Sequence, residues 1–251
     1  MKSHPQAEKK QSTRHLSARI IAISRLNQST REAMFSLYNQ YYEATAQEQF
    51  FTDLENKDQV IVLYDNEQQV RGFSTLKLFD YHYNEQHCQI IFSGDTIIHH
   101  KFWGDQSLAF SWLRWAGKVK ALHPQRPLYY LLIVKGHRTY RYLQAFTHQY
   151  YPHWQQTTPT ATKQLMNQLG KTLFSQYYQA EKGIIHFPTS HGQLRAQWAE
   201  PSVQALSRPE VQFFLQQNPD YRLGDELLCF TELCAANLRP LIRRVFVSGI
   251  Q

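Results

Sequence analysis

Ile97-Ile98-His99-His100-Lys101-Phe102-Trp103-Gly104-Asp105-Gln106-Ser107-Leu108 decides the fold: β-branched residues lead through a tight glycine turn into a run of helical spacing. A strand that enters a helix through such a turn builds an anion cradle, because backbone N–H groups of the turn converge with the first unpaired N–H groups of the helix. Leu108, Trp112, Trp115 and Val119 recur at i, i+4, i+7 and i+11 and give that helix its buried face. Asp105 suits a helix cap with its carboxylate turned toward backbone N–H groups. Lys101, Lys135 and Arg138 are candidates for charge-assisted contacts to phosphate, whereas Lys118 and Lys120 read as a solvated helix end.

Working backward from the loop, Cys88 to His100 is a long strand interrupted at Ser93-Gly94-Asp95, and glycine inside a strand marks a bulge or close backbone approach. Gln59–Tyr64 and Val70–Phe79, joined by a polar turn, read as a hairpin. Ala18 to Leu26 is the candidate first strand. Two helical segments follow it, the first capped at Ser29 or Thr30 with Met34, Leu37, Tyr38 and Tyr41 on its apolar face, the second running to about Asn56. Forward from the loop, Leu128–Val134 is a continuous apolar run, the mark of an interior strand. Lys135-Gly136 then turns the chain into a helix over about Thr139 to Gln149, stopped before Pro152. Beyond it, helices are expected at Thr162–Tyr178 and Pro209–Gln217 and strands at Gly183–Phe187 and Glu226–Leu233.

The 251 residues, 42% hydrophobic, suffice for one packed domain with an appendage. Fifteen Tyr, fifteen Phe and five Trp supply aromatic core, and the net charge of +7 favours anionic partners. Residues 1–14 are polar and lysine-rich and read as a mobile tail. No apolar run reaches the roughly 20 residues that span a bilayer and the N-terminus lacks a signal-peptide segment, so a cytoplasmic protein is expected. Cys88, Cys229 and Cys234 form no C-x-x-C pair and the histidines no ligand spacing, so no metal site is expected.

The spacing Lys101-x-x-Gly104-x-Gln106, lying between the fourth strand and the third helix, resembles the pyrophosphate loop of the Gcn5-related N-acyltransferase (GNAT) superfamily. Lys101 stands where that family has Gln or Arg, and Gln106 where it has Gly or Ala. The similarity covers about residues 18–151. It implies an α/β fold with a mixed central sheet flanked by helices: a GNAT-like core over residues 15–152 and an extended C-terminal region, 153–251, completing the sheet and covering the substrate site. A separate C-terminal helical subdomain is the competing arrangement.

The resemblance further implies an N-acyltransferase moving an acyl group from a coenzyme A thioester, or an acyl carrier protein, to an amine-bearing small molecule or peptide. The donor would be held by His99, Lys101, Phe102, Trp103, Gly104, Asp105, Gln106, Ser107 and Arg138. Asp95, about 20 Å back along the strand from Lys101 at ~3.3 Å per residue, is the candidate base; the other reading is a bulge residue bonded to backbone. Phe146 stands where the family has its thiolate-protonating Tyr, so Tyr142, one turn earlier, is the candidate acid and Tyr140 a poorer one; both also suit packing. The alternatives are a GNAT-like acyl-CoA-binding module without catalysis and, last, a nucleic-acid-binding protein, for which no motif speaks.

Overall fold

The computed structural model describes residues 16–251; the tail read at residues 1–14 lies outside them. Strand β1 (Ser17–Ala22) is followed by α1 (Gln28–Tyr41), a two-residue β2 (Tyr42–Glu43), α2 (Gln47–Glu55), β3 (Gln59–Tyr64), β4 (Val70–Tyr83) and β5 (Gln86–Ile98). The loop leads into α3 (Ser107–Leu122), β6 (Leu128–Val134) and α4 (His137–Phe146). There follow α5 (Thr160–Phe174), β7 (Tyr178–Gln179), β8 (Ile184–Ile185), β9 (Gln193–Leu194), α6 (Ala196–Ala199), α7 (Val203–Leu206), α8 (Pro209–Gln217), β10 (Glu226–Glu232) and α9 (Pro240–Ile250).

Eight strands form one mixed sheet in the order β1-β3-β4-β5-β6-β10-β8-β7, antiparallel except where β5 and β6 run parallel. The mixed α/β architecture matches the expected class. Strand periodicity sends alternate residues to opposite layers. Ile91, Leu76 and Leu128 pack with Trp112, Leu113 and Ala116 of α3 and Val245 and Phe246 of α9. On the other face Val60, Val62 and Phe73 meet Met34, Leu37 and Phe50 of α1 and α2, while Ile90, Phe92 and Leu131 meet Leu165 and Leu169 of α5. A fourth cluster joins Leu132 and Val134 to Leu143 of α4 and Phe214 of α8.

Several boundaries differ from the sequence reading. The first strand ends at Ala22, where Ile23–Arg25 turn as a 3-10 helix. The cap of α1 is Asn27, whose Oδ1 accepts the N–H of Thr30 at 2.8 Å, not Ser29 or Thr30 themselves. Trp115 is half-buried, whereas Leu108, Trp112 and Val119 are buried. Helix α9 was not foreseen; it begins with Pro240 at its first turn, where the missing N–H costs nothing.

Helices α3 and α9 approach so closely that glycine is required on both. A methyl carbon at Gly117 would stand 2.1 Å from the carbonyl oxygen of Phe246, and one at Gly249 would stand 2.1 Å from that of Arg114. On a free helix surface, Gly→Ala gains up to about 1 kcal/mol. Here overpacking reverses the sign, and Gly117→Ala is expected to cost about 1–3 kcal/mol. Urea unfolding midpoints of the two proteins check this; a stabilised variant would show that the helices do not touch at this point.

Candidate active site at the parting of two strands

Strands β5 and β6 pair in parallel from Gln89 opposite Leu128 to Ser93 opposite Leu132, and there the ladder stops, although β5 continues to Ile98. The other edge of β5 stays paired to β4. Along it, Ser74 faces Thr96 and Leu76 faces Ser93, so Gly94 and Asp95 together oppose Thr75 alone. That is a β-bulge, which bends its strand and re-aims its side chains. Gly94 is needed for the approach: an added Cβ would lie 2.8 Å from the Thr75 hydroxyl and 2.9 Å from Cε of Lys57.

Three cavities meet where the strands part, and Thr96 of β5 and Thr139 of α4 line all three. On the α1/α2 side lies one of about 150 Å³. On the α3/α4 side lies one of about 100 Å³, bounded by Gly104, Asp105, Gln106, Trp112, Tyr130 and Tyr142. A wider groove of about 390 Å³ opens past Trp103, Arg138, Tyr142 and Trp198.

The α1/α2-side cavity gathers the site's charges: Asp53, Lys57, Asp95, Lys135 and Glu226 all line it. Glu226 pairs with Lys135 at 3.3 Å, and Lys135 also donates to the carbonyl of His191 at 3.2 Å. Asp53 accepts from Gln49 at 3.1 Å. Lys57 donates to the backbone carbonyl of Asp53 at 2.9 Å and sits 5.6 Å from the centre of the Phe92 ring. Asp95 accepts no hydrogen bond among the described residues; the bulge residue bonded to backbone is therefore not what is seen. Burial raises the pKa of Asp95 above the usual carboxylate range, and the attraction of Lys135 and Lys57 only partly offsets it. Burial likewise lowers Lys57 and raises Glu226. For Lys135 burial works against the charge, but Glu226 and Asp95 outweigh it and the pKa rises.

The loop is folded more tightly than an open cradle. The N–H groups of His100, Phe102, Trp103 and Asp105 are bonded to the Tyr41 hydroxyl and to the carbonyls of His99, His100 and Phe102. Asp105 does cap α3, its Oδ1 accepting the N–H of Ser107 at 2.7 Å. Gly104 has φ +98°, the left-handed conformation that favours glycine, and its N–H and that of Gln106 have no partner among the described residues. Trp103 stacks under the Arg138 guanidinium at 5.2 Å, and Arg138 also donates to the carbonyl of Trp198.

Of the residues singled out from sequence, Trp103, Gly104, Asp105, Gln106, Arg138 and Tyr142 border the wide groove or the α3/α4-side cavity and Asp95 the α1/α2-side one. His99, Lys101, Phe102 and Ser107 lie outside all three. His99 stacks on His100 at 4.4 Å, Lys101 is exposed, Phe102 packs on the core and the Ser107 hydroxyl donates to the carbonyl of Leu16 at 3.0 Å. Lys135 is on the acid cluster rather than beside the loop. Tyr140 is a core residue whose hydroxyl donates to the carbonyl of Pro152 at 2.9 Å. Sequence reading missed Lys57, Glu226 and the segment at residues 186–199. That segment crosses the site, pinned by β9 pairing with β2 and by Arg195 donating to the carbonyl of Asn39 at 2.9 Å.

No protein-family model matches the sequence, and no curated protein matches it. Solved structures do. A conserved Enterococcus faecalis V583 protein described as a probable N-acyltransferase is 17% identical (TM-score 0.39), over 53% of this chain and 33% of its own. A GNAT-family N-acetyltransferase from Escherichia coli, YhbS, solved with CoA, is 16% identical (TM-score 0.37), over 53% of this chain and 69% of its own. Arabidopsis thaliana NAA60 in complex with a bisubstrate analogue is 14% identical (TM-score 0.39), over 54% and 86%. The likeness to all three is partial. This chain spans only about a third of the length of the Enterococcus protein, and overlaps at these identities say nothing of substrate.

An ionised carboxylate held without a hydrogen bond in a cavity wall costs stability. Because the folded pKa of Asp95 lies above its unfolded value of about 3.9, that cost is absent at low pH and grows as pH rises through the folded pKa. Asp95→Asn is therefore expected to raise Tm at pH 7 and to lose the advantage near pH 3.5. Melting curves across that range check the sign; a variant less stable at pH 7 would make Asp95 structural.

Proposed function

We propose that the chain transfers an acyl group from a thioester donor, acyl-CoA or an acyl carrier protein, to an amine. The observation that carries this reading is the unbonded Asp95 carboxylate at the point where β5 and β6 part. The β6-facing edge of β5 beyond Ser93 has no ladder partner, so its backbone groups, apart from the Ile98 carbonyl that accepts the Trp103 indole N–H at 2.8 Å, suit the amides of a pantetheine arm. Arg138, Trp103 and the free N–H groups of Gly104 and Gln106 suit the donor's phosphate end. Asp105 fits it less well, since its carboxylate must leave the Ser107 N–H for a pyrophosphate to reach the start of α3.

In this reading the thioester carbonyl lies between Thr96 and Thr139, and the amine enters from the α1/α2 side. Asp95 takes the amine proton, the nitrogen attacks the carbonyl, the carbon–sulfur bond breaks and the thiolate takes a proton. Tyr142 sits one turn beyond Thr139, 47% exposed, its hydroxyl without a hydrogen bond among the described residues. In this reading it gives that proton. Burial raises the Asp95 pKa toward the working pH, which strengthens it as a base.

Acetyl-CoA with a panel of primary amines, followed by free-thiol release, tests the assignment. Asp95→Asn is expected to lower turnover by about 10²–10⁴-fold with donor affinity kept. Wild-type kcat/KM is expected to fall on acidification, because the base must be ionised, with an inflection above the usual carboxylate range that the variant lacks. Donor binding without thiol release from any amine would reduce the chain to a binding module. Tyr142→Phe is expected to slow turnover at unchanged KM, and an unchanged rate would return Tyr142 to packing.

A further inference from the structure

The α1/α2-side cavity carries two opposite charges that nothing in the protein neutralises by contact. Asp95 accepts no hydrogen bond among the described residues, and the Lys57 ammonium uses one of its three protons, on a backbone carbonyl. They are neighbours on the wall, since Nζ of Lys57 would lie 3.6 Å from a Cβ at Gly94, the residue before Asp95. They nevertheless form no ion pair with each other. Of the other charges, Lys135 is paired with Glu226, and Asp53 accepts a hydrogen bond from the neutral Gln49 amide. Around the two open charges the wall is aromatic, with Tyr42, Phe50, Phe92, Phe174 and Phe187, and the volume is about 150 Å³.

We propose that this cavity binds a free α-amino acid with an apolar side chain, its ammonium on Asp95 and its carboxylate on Lys57. The assignment rests on the acyl-transfer reading only in making that amino acid the acceptor. A zwitterion bridges two adjacent, unpaired, opposite charges, whereas a simple amine leaves Lys57 unpaired in a low-dielectric pocket and a simple acid leaves Asp95 so. A peptide N-terminus offers no carboxylate at the α-carbon. The segment that carries Phe187 and His191 also lines the cavity.

Calorimetric titration of the full chain with L-leucine and L-phenylalanine tests it, against 3-methylbutylamine and 2-phenylethylamine, which lack the carboxylate, and 4-methylpentanoate, which lacks the ammonium. At least one amino acid is expected to bind about tenfold or more tightly than its truncated partners, as a charge-assisted hydrogen bond allows. Lys57→Met is expected to remove the preference over the amine while the amine's own affinity holds, and Lys57→Arg to restore part of it. Equal affinity for amine and amino acid, or no binding by either amino acid, overturns the proposal. Thiol release from acetyl-CoA is read separately. Release with the amines as fast as with the amino acids keeps acyl transfer and overturns the amino-acid site; amino-acid binding with no thiol release under any condition keeps the site and overturns acyl transfer.

Discussion

Everything at the site follows from the ladder between β5 and β6 ending at Ser93 and Leu132. A parallel pair buried between helix layers ordinarily runs to the ends of its strands, because unpaired backbone groups in the interior are costly. Here the Gly94–Asp95 bulge bends β5, and the lost ladder is exchanged for an opening through the sheet. The same bulge faces Asp95 to the α1/α2 side, and the helix turn after β6 brings Thr139 to the opposite lip. One added residue in one strand thus creates the passage and aims a carboxylate into it.

The long elements were legible because each carries a pattern of its own: unbroken apolar runs in β3 and β6 and a helical stripe in α3. Of the two-residue strands only β8 was legible, inside the expected strand Gly183–Phe187; β2, β7 and β9 are too short to carry periodicity and exist only through their partners. Asp95 was legible because the glycine beside it announced a bulge. Lys57 and Glu226 were not, because nothing local distinguishes them from solvated charges. Glu226 comes to Lys135 through register alone: Leu227 faces Val134 in the antiparallel β10–β6 pair, which puts the first residue of β10 beside the residue after the end of β6.

The charges show why such a site cannot be judged by pair-counting. Lys135 and Glu226 satisfy each other, so that pair is a fixed electrostatic frame whose cost has been met by contact. Asp95 and Lys57 stand within the same frame without an ion pair, and burial pushes both pKa values toward their neutral forms. Folding alone gains nothing from leaving them so. Groups held at a cost in the native state are the ones whose energy is recovered on binding, which is why the unpaired charges mark the site and the salt bridge does not.

The loop that first suggested the fold carries a tension of the same kind. Asp105 makes the α3 start self-sufficient, placing its own carboxylate where an anion would go. A donor phosphate must therefore displace a hydrogen bond that the protein already makes, and its net gain is the difference between two anions at one helix end. Trp103 and Arg138 lie to the side of that position, stacked on each other and facing the open groove. The attraction for a phosphate end accordingly shifts from the helix terminus toward the Arg138 guanidinium. A carrier-linked pantetheine has a single phosphodiester and needs less from the helix than the pyrophosphate of coenzyme A. Under the proposed acyl transfer the capped helix would thus weigh on the choice of donor, while the parted strands, which would receive the arm common to both, would not.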